Sequence, residues 1–135
     1  MCSSDLLVVK GIQTAEDAAL ACRQGVAGVV VSNHGGRQLD GVAASLDVLP
    51  EVVETCADDV TVLFDGGVRR GTDLLMALAL GATAVGIGRP VLWGLAVDGE
   101  DGVGHILDLL FAELDNAMAL SGVARLGDLT PELLA

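Results

Sequence analysis

Four short apolar runs, each followed by a stretch with helix signals, limit the folds open to this chain. The runs occupy residues 6–9, 28–31, 60–64 and 84–87 and are nearly continuous rather than alternating. Such runs are typical of parallel strands that are covered on both faces. Strand followed by helix, four times over, predicts an α/β fold with a parallel sheet. That sheet is either open and doubly wound or part of a (β/α)8 barrel.

Capping signals mark the first three predicted helices. Thr14 is predicted as the N-cap of the first helix, and Gly25 as the residue just past its C-terminal end. Pro50 is expected in the first turn of the second helix. Thr72 is expected to cap the third, which stops at Gly81.

The last third of the chain predicts one long helix and a short turn. The helix begins near Pro90 or near Asp101 and ends at about Leu120, and the turn covers residues 130–135. With 135 residues, 52% of them apolar, the chain is large enough for one domain and too small for two. We therefore expect residues 1–135 to form a single unit, which is part of a larger domain.

Charge and composition exclude several classes of partner. Seven basic residues against 19 acidic ones leave a net charge of −12, which disfavours nucleic acid and anionic lipid. No apolar run reaches the ~18 residues of a membrane span, and no export signal is visible. The cysteines, Cys2, Cys22 and Cys56, are odd in number and lack metal-ligand spacing, so no metal site is predicted. A reducing cytoplasm is the expected location.

Every predicted strand ends in glycines or in residues able to carry chemistry. In parallel α/β folds, binding sites form where the carboxyl ends of the strands meet. Four such ends at one edge predict one site. The four segments are residues 10–11 (KG), 32–40 (SNHGGRQLD), 65–71 (DGGVRRG) and 88–90 (GRP).

The third and fourth segments predict a phosphate site. Backbone amides of Gly66, Gly67 and Gly88 at helix starts can bind an anion. Arg69 and Arg89 can add paired hydrogen bonds to phosphate oxygens. The alternative is a pair of tight turns with solvated arginines.

The second segment offers a base beside a carboxylate-binding group. His34 can accept a proton near neutral pH, and Arg37 can hold a planar carboxylate with two parallel hydrogen bonds. The alternative for His34 is a structural turn in which it caps the backbone. Lys10 either reaches solvent or holds an anionic cofactor atom, and Asp65 either binds hydroxyl groups or caps its loop.

Together these segments closely resemble the FMN-dependent 2-hydroxy-acid oxidases and dehydrogenases, such as glycolate oxidase, lactate oxidase, lactate monooxygenase and flavocytochrome b2. The loop SNHGGRQLD is the most specific part, and the resemblance extends from about Leu6 to Leu134. It implies the last four βα units of a (β/α)8 barrel with FMN at the mouth, and the oxidation of a lactate- or glycolate-type L-2-hydroxy acid to the 2-oxo acid.

The resemblance also implies a role for each residue. His34 would be the base, taking the hydroxyl proton during hydride transfer or the α-proton to give a carbanion, and Arg37 would bind the substrate carboxylate. Lys10 would stabilise the reduced ring. The remaining cofactor-binding residues would be Ser32 at the flavin, Asp65 at the ribityl hydroxyls, and a phosphate group of residues: Gly66, Gly67, Val68, Arg69, Gly88 and Arg89.

Such a barrel needs eight strands, and only four are predicted. The family's active-site tyrosines are absent, since the chain has no Tyr. We therefore expect a fragment, a truncated reading frame or one half of a split barrel, inactive alone and completed by a missing N-terminal half or a second copy. The electron acceptor would be oxygen or another acceptor. Two alternatives stay open: another phosphate-binding barrel, such as the IMP dehydrogenase or type 2 isopentenyl-diphosphate isomerase group, and a non-catalytic half-barrel.

Overall fold

A computed structural model describes residues 6–57 and 60–134. Four parallel strands lie in the order β1-β2-β3-β4, and helices connect them. Because the order never reverses and such crossovers are right-handed, the connecting helices lie on one face of the sheet. The elements are β1 (Val8–Ile12), α1 (Ala15–Arg23), β2 (Gly28–Val31), α2 (Ser45–Cys56), β3 (Thr61–Asp65), α3 (Gly71–Ala79), β4 (Ala84–Gly86) and α4 (Arg89–Leu120), with short 3-10 turns at His34–Gly36, Leu126–Asp128 and Pro131–Leu134.

The four predicted strands are present, and the first is shifted along the chain. It was expected at residues 6–9, but β1 runs over Val8–Ile12. Lys10 pairs with Val30, and the ladder continues to Ile12 across an irregularity at Gly11. Lys10 therefore lies inside the strand, because backbone pairing to β2 continues after the apolar run has ended.

The two faces of the sheet differ sharply. On the helix face, Val29 and Val31 are fully buried and Phe64 is 2% exposed. On the opposite face, Thr61 and Ala84 are exposed. Coverage of the strands on both faces, which the apolar runs predicted, is therefore wrong for the described residues.

Two predicted helix starts are wrong. Pro50 is the sixth residue of α2 and not in its first turn, because Ser45 begins the helix. Thr72 does not cap α3. The N-cap is Arg70, and the Asp73 carboxylate accepts from its backbone amide. The Thr14 cap and the positive φ of Gly25 and Gly81 past their helices are confirmed.

Both predicted starts of the last helix correspond to real features. The segment α4 begins at Arg89 but leaves helical geometry at Asp98 and Gly99. Beyond this break the chain folds back, since a Cβ on Gly94 would overlap the backbone oxygen of Gly102. The expected turn near the C-terminus forms at Pro131–Leu134. No helix in the described part of the chain is long and apolar enough to cross a membrane.

Candidate functional site

The carboxyl ends of the four strands surround a cavity of about 230 Å³. Ten of the eleven residues predicted to form the site line it, and Ser32 joins them through hydrogen bonds. The ten are Lys10, His34, Arg37, Asp65, Gly66, Gly67, Val68, Arg69, Gly88 and Arg89. The fold therefore brings the predicted phosphate-binding and proton-accepting residues to one place, while their individual roles stay predictions.

A polar network forms the wall of the cavity where β1, β2 and β3 end. The Lys10 ammonium donates to Ser32 Oγ at 3.1 Å and forms an ion pair with Asp65. Ser32, only 2% exposed, also donates to the Asp65 carboxylate. One cation and one anion are thereby held side by side.

The Lys10 side chain lies at the boundary between protein and solvent. Its side chain is 45% exposed. Partial burial lowers its pKa from the ordinary value, because desolvation disfavours the charged ammonium. The ammonium of Lys10 also forms an ion pair with the Asp65 carboxylate, so the cavity wall carries both charges.

The His34 turn has an unusual backbone. His34 has a φ of 56°, and Gly35 and Gly36 follow with φ values of 66° and 71°. This left-handed region is unfavourable for a residue with a Cβ, so other bonds must maintain it. The amide of His34 donates to Ser32 Oγ at 3.1 Å, and that of Gly36 donates to the Asn33 carbonyl at 3.0 Å.

Arg89 connects the predicted phosphate end of the cavity with the His34 turn. Its guanidinium donates to the Gly35 carbonyl at 3.1 Å. A Cβ on Gly35 would lie 3.1 Å from Arg89 Nη2, closer than ordinary van der Waals contact. A glycine at position 35 therefore lets the β4 end and the β2 end of the site approach each other.

The loop after β3 presents its backbone to the cavity. Gly66 and Gly67 have φ values of 106° and 83°, a region that side chains disfavour. A Cβ on Gly67 or on Gly88 would meet no atom within 4 Å. Within residues 6–57 and 60–134, the amides of Gly67 and Gly88 have no hydrogen-bond acceptor. Open space beside unpaired donors is suited to an anion.

The two amides leading into α3 and the first amide of the helix have carboxylate partners. Asp73 accepts from the Arg69 and Arg70 amides at 2.8 and 2.9 Å, and Glu113 accepts from the Gly71 amide at 2.8 Å. By contrast, no side chain among the described residues caps the start of α4 at Gly88. An anion in the cavity would therefore meet the amides of α4 and of the glycine loop rather than those of α3.

Sequence reasoning missed several residues at or behind the cavity. Leu92 lines it one turn after Gly88, a spacing that places both on one side of a helix. Glu113 forms an ion pair with Arg70, their charged groups 3.6 Å apart, and Arg69 is the one of these two neighbouring arginines that lines the cavity. Ser45 and Asn33 lie behind the His34 turn. Only the helical spacing of Leu92 was visible in the sequence.

Comparison with known proteins shows one family. The family model for FMN-dependent dehydrogenases matches residues 3–135. The 2-hydroxyacid oxidase 2 of Rattus norvegicus is 56% identical over 95% of this chain and 36% of its own length. The L-lactate oxidase of a Nostoc species is 58% identical over 95% of this chain and 35% of its own length. A peroxisomal (S)-2-hydroxyacid oxidase of Arabidopsis thaliana is 56% identical over 92% and 34%.

Solved structures show the same likeness. A flavocytochrome b2 variant with pyruvate bound superposes with a TM-score of 0.92 at 44% identity, covering 97% of this chain and 34% of that one. A mandelate oxidase variant with a monooxide FMN adduct gives 0.88 at 49% identity, covering 93% and 40%. The predicted α/β class, four βα units of a (β/α)8 barrel, is confirmed. The chain spans 31–36% of the length of the curated relatives named in these comparisons.

Proposed function

Because the chain belongs to the FMN-dependent dehydrogenase family, we propose that it forms the FMN-binding and proton-accepting part of an enzyme that oxidises an L-2-hydroxy acid to the 2-oxo acid. The observation that carries this proposal is the single cavity that joins His34 and Arg37 to Lys10 and to the glycine loops. A base, a carboxylate-binding group and an anion site are all required by that reaction, and they share one cavity.

The residues around the cavity fit FMN. The unpaired amides of Gly67 and Gly88, with Arg69 and Arg89, suit its phosphate. Asp65 can accept from ribityl hydroxyls, and the Lys10 ammonium suits a ring that becomes negative on reduction. FMN, when bound, supplies the two-electron acceptor.

The chain's own side chains would handle the charge and the protons of the substrate. Arg37 binds the carboxylate through a planar fork, which fixes the orientation of the neighbouring carbon. His34 takes one proton from the substrate. Oxidation of the hydroxyl-bearing carbon releases two electrons and two protons. That proton comes either from the hydroxyl group or from the carbon that bears it, and the final electron acceptor is oxygen or another oxidant.

Completion of the barrel is part of the proposal. Among the described residues, β1 and β4 each have one unpaired edge, and Thr61 and Ala84 are exposed on the face without helices. Unpaired edges and an uncovered face are unfavourable in water. We infer that further βα units cover them, from the same polypeptide, a separate half or a second copy, with residues 1–135 as the last four units.

We also propose a substrate class and a cellular location. A lactate- or glycolate-type acid fits the relatives named as lactate and 2-hydroxyacid oxidases. The cytoplasm remains the location expected from the cysteines, although two relatives are named as peroxisomal.

The test combines FMN binding with turnover. FMN is titrated into the chain itself and into a barrel completed with the part of the rat relative that this chain does not cover. Oxidation of L-lactate and glycolate is then measured. We expect the completed barrel to bind FMN and form 2-oxo acid.

His34→Ala is the matched variant. It should keep FMN and lower kcat by about 100-fold or more, the usual contribution of a general base. Wild-type turnover in this variant would contradict the role of His34. A completed barrel that binds FMN but oxidises neither acid would favour a non-catalytic half-barrel.

A further inference from the structure

Three segments meet behind the His34 turn. Asn33 follows β2, Ser45 is the first residue of α2, and Gly66 follows β3. Ser45 is only 2% exposed, and its Oγ accepts a hydrogen bond from the backbone amide of Asn33 at 2.9 Å. The buried Ser45 hydroxyl of α2 thus holds the backbone of Asn33, which directly precedes His34, the residue proposed as the base.

The Asn33 side chain completes this contact. Its Nδ2 donates to the Ala43 carbonyl at 3.4 Å, and its Oδ1 is buried without a partner among the described residues. A Cβ on Gly66 would lie 2.8 Å from Ser45 Oγ and 2.9 Å from Asn33 Oδ1. The glycine loop therefore packs directly against both side chains.

We propose that Asn33 and Ser45 are positioning residues that hold the His34 turn against the glycine loop and so keep the His34 imidazole and Arg37 at the cavity. The inference rests on the proposed function, since it takes His34 as the proton acceptor and Arg37 as the carboxylate-binding group. The left-handed backbone conformation of His34 is unfavourable by itself. The fraction of molecules that adopt it therefore depends on hydrogen bonds from outside the turn. The Ser45 hydrogen bond is one of these.

The expected kinetic signature differs from that of a catalytic residue. Without the Ser45 acceptor, the turn would be ordered in only a fraction of molecules, so apparent substrate affinity would fall by that fraction. At saturating concentration, substrate bound to Arg37 beside the His34 turn would shift the molecules back to the ordered turn, so kcat would be preserved. In the FMN-loaded completed barrel, Ser45→Ala should raise KM about 10-fold and change kcat less than about 2-fold.

Two variants serve as controls. Ser45→Thr keeps the hydroxyl and should restore KM. Thr55→Ala also removes a hydroxyl from α2, one that donates to the Glu51 carbonyl at 2.7 Å on the exposed side, and should leave KM unchanged. Unchanged KM in Ser45→Ala would overturn the proposal. An equal loss in Ser45→Thr would assign the effect to packing and also overturn it.

Amide hydrogen exchange of the whole chain tests the inference without turnover. The amides of residues 33–36 should exchange about 10-fold faster in Ser45→Ala and at the parent rate in Thr55→Ala. Faster exchange in a protein without turnover would support the positioning role while the proposed function fails. Unchanged exchange would overturn the positioning role itself.

Discussion

Replacing Gly71 with alanine tests the packing of α3 against α4, next to the loop that carries Arg69. Gly71 begins α3 and is buried against α4. An added Cβ would overlap the backbone of Glu113 and Leu114 and would lie 2.5 Å from the Glu113 Cβ. Carbon atoms in contact normally lie ~3.5–4.0 Å apart. Since backbone atoms are involved on both sides, α3 and α4 would have to separate.

The cost has two parts. Overpacking of this kind costs about 1–3 kcal/mol. Separation would also break the hydrogen bond from the Gly71 amide to the Glu113 carboxylate, 2.8 Å long in the parent. A hydrogen bond to a charged group contributes about 1.5–3 kcal/mol, and the better helix propensity of alanine returns about 0.5–1 kcal/mol. We expect the free energy of unfolding to fall by about 3 kcal/mol, a large part of a typical ~5–15 kcal/mol.

Urea unfolding followed by circular dichroism measures this change, with the free energy taken from the midpoint and slope. Gly104→Ala is the control, because Gly104 also lies in a helix but a Cβ there would meet nothing within 4 Å. That variant should gain about 0.5–1 kcal/mol. The free energy of unfolding should therefore fall in Gly71→Ala and rise in Gly104→Ala. A Gly71→Ala protein as stable as the parent would refute the α3–α4 contact.

Three further predictions concern the cavity and the thiols. Arg37→Lys in the FMN-loaded completed barrel should raise KM for the 2-hydroxy acid about 10-fold or more, because a single ammonium replaces a two-pronged grip; unchanged steady-state kinetics would contradict it. Gly67→Ala should weaken FMN binding about 10-fold in a fluorescence titration, since its Cβ would enter open space beside the unpaired amides; parent affinity would place the phosphate elsewhere. Burial, with the nearby Cys22 thiol, raises the pKa of Cys56 from 9.0 to about 12. The thiolate fraction near pH 8 should therefore be much lower than for an ordinary thiol, so Cys56 should react slowly with a disulfide reagent, and faster in Cys22→Ala. Because the pKa of Cys56 is higher in the folded protein than in the unfolded chain, the free energy of unfolding should fall as pH rises from about 9 towards 12. Rapid labelling of Cys56 in the folded protein would contradict the raised pKa.

Most of the candidate site could be predicted because its residues lie near the carboxyl ends of the strands or shortly after them. Parallel strands bring their carboxyl ends to one edge, so Lys10, His34, Asp65 and Arg89 had to converge once four strands were recognised. The β2 bounds, Gly28–Val31, match the predicted run, which ends where the polar residues Ser32 and Asn33 begin.

Features that depend on tertiary contacts could not be predicted. The cap of α3 is supplied by Asp73 and, across 42 residues of sequence, by Glu113, which local patterns do not show. Proline statistics favoured a helix start at Pro50, yet α2 begins at Ser45, whose hydroxyl is buried against Asn33. The packing of Gly66 against both side chains has no counterpart in local sequence.

Anaerobic reduction of bound FMN tests the central claim most directly. L-lactate or glycolate is mixed, without oxygen, with the FMN-loaded completed barrel and with its His34→Ala variant, and the visible flavin absorbance is followed. We expect rapid bleaching in the parent and bleaching slower by about 100-fold or more in the variant, because His34 takes one of the two protons that the substrate loses with each electron pair. An unbleached parent, or a variant that bleaches as fast as the parent, would contradict it.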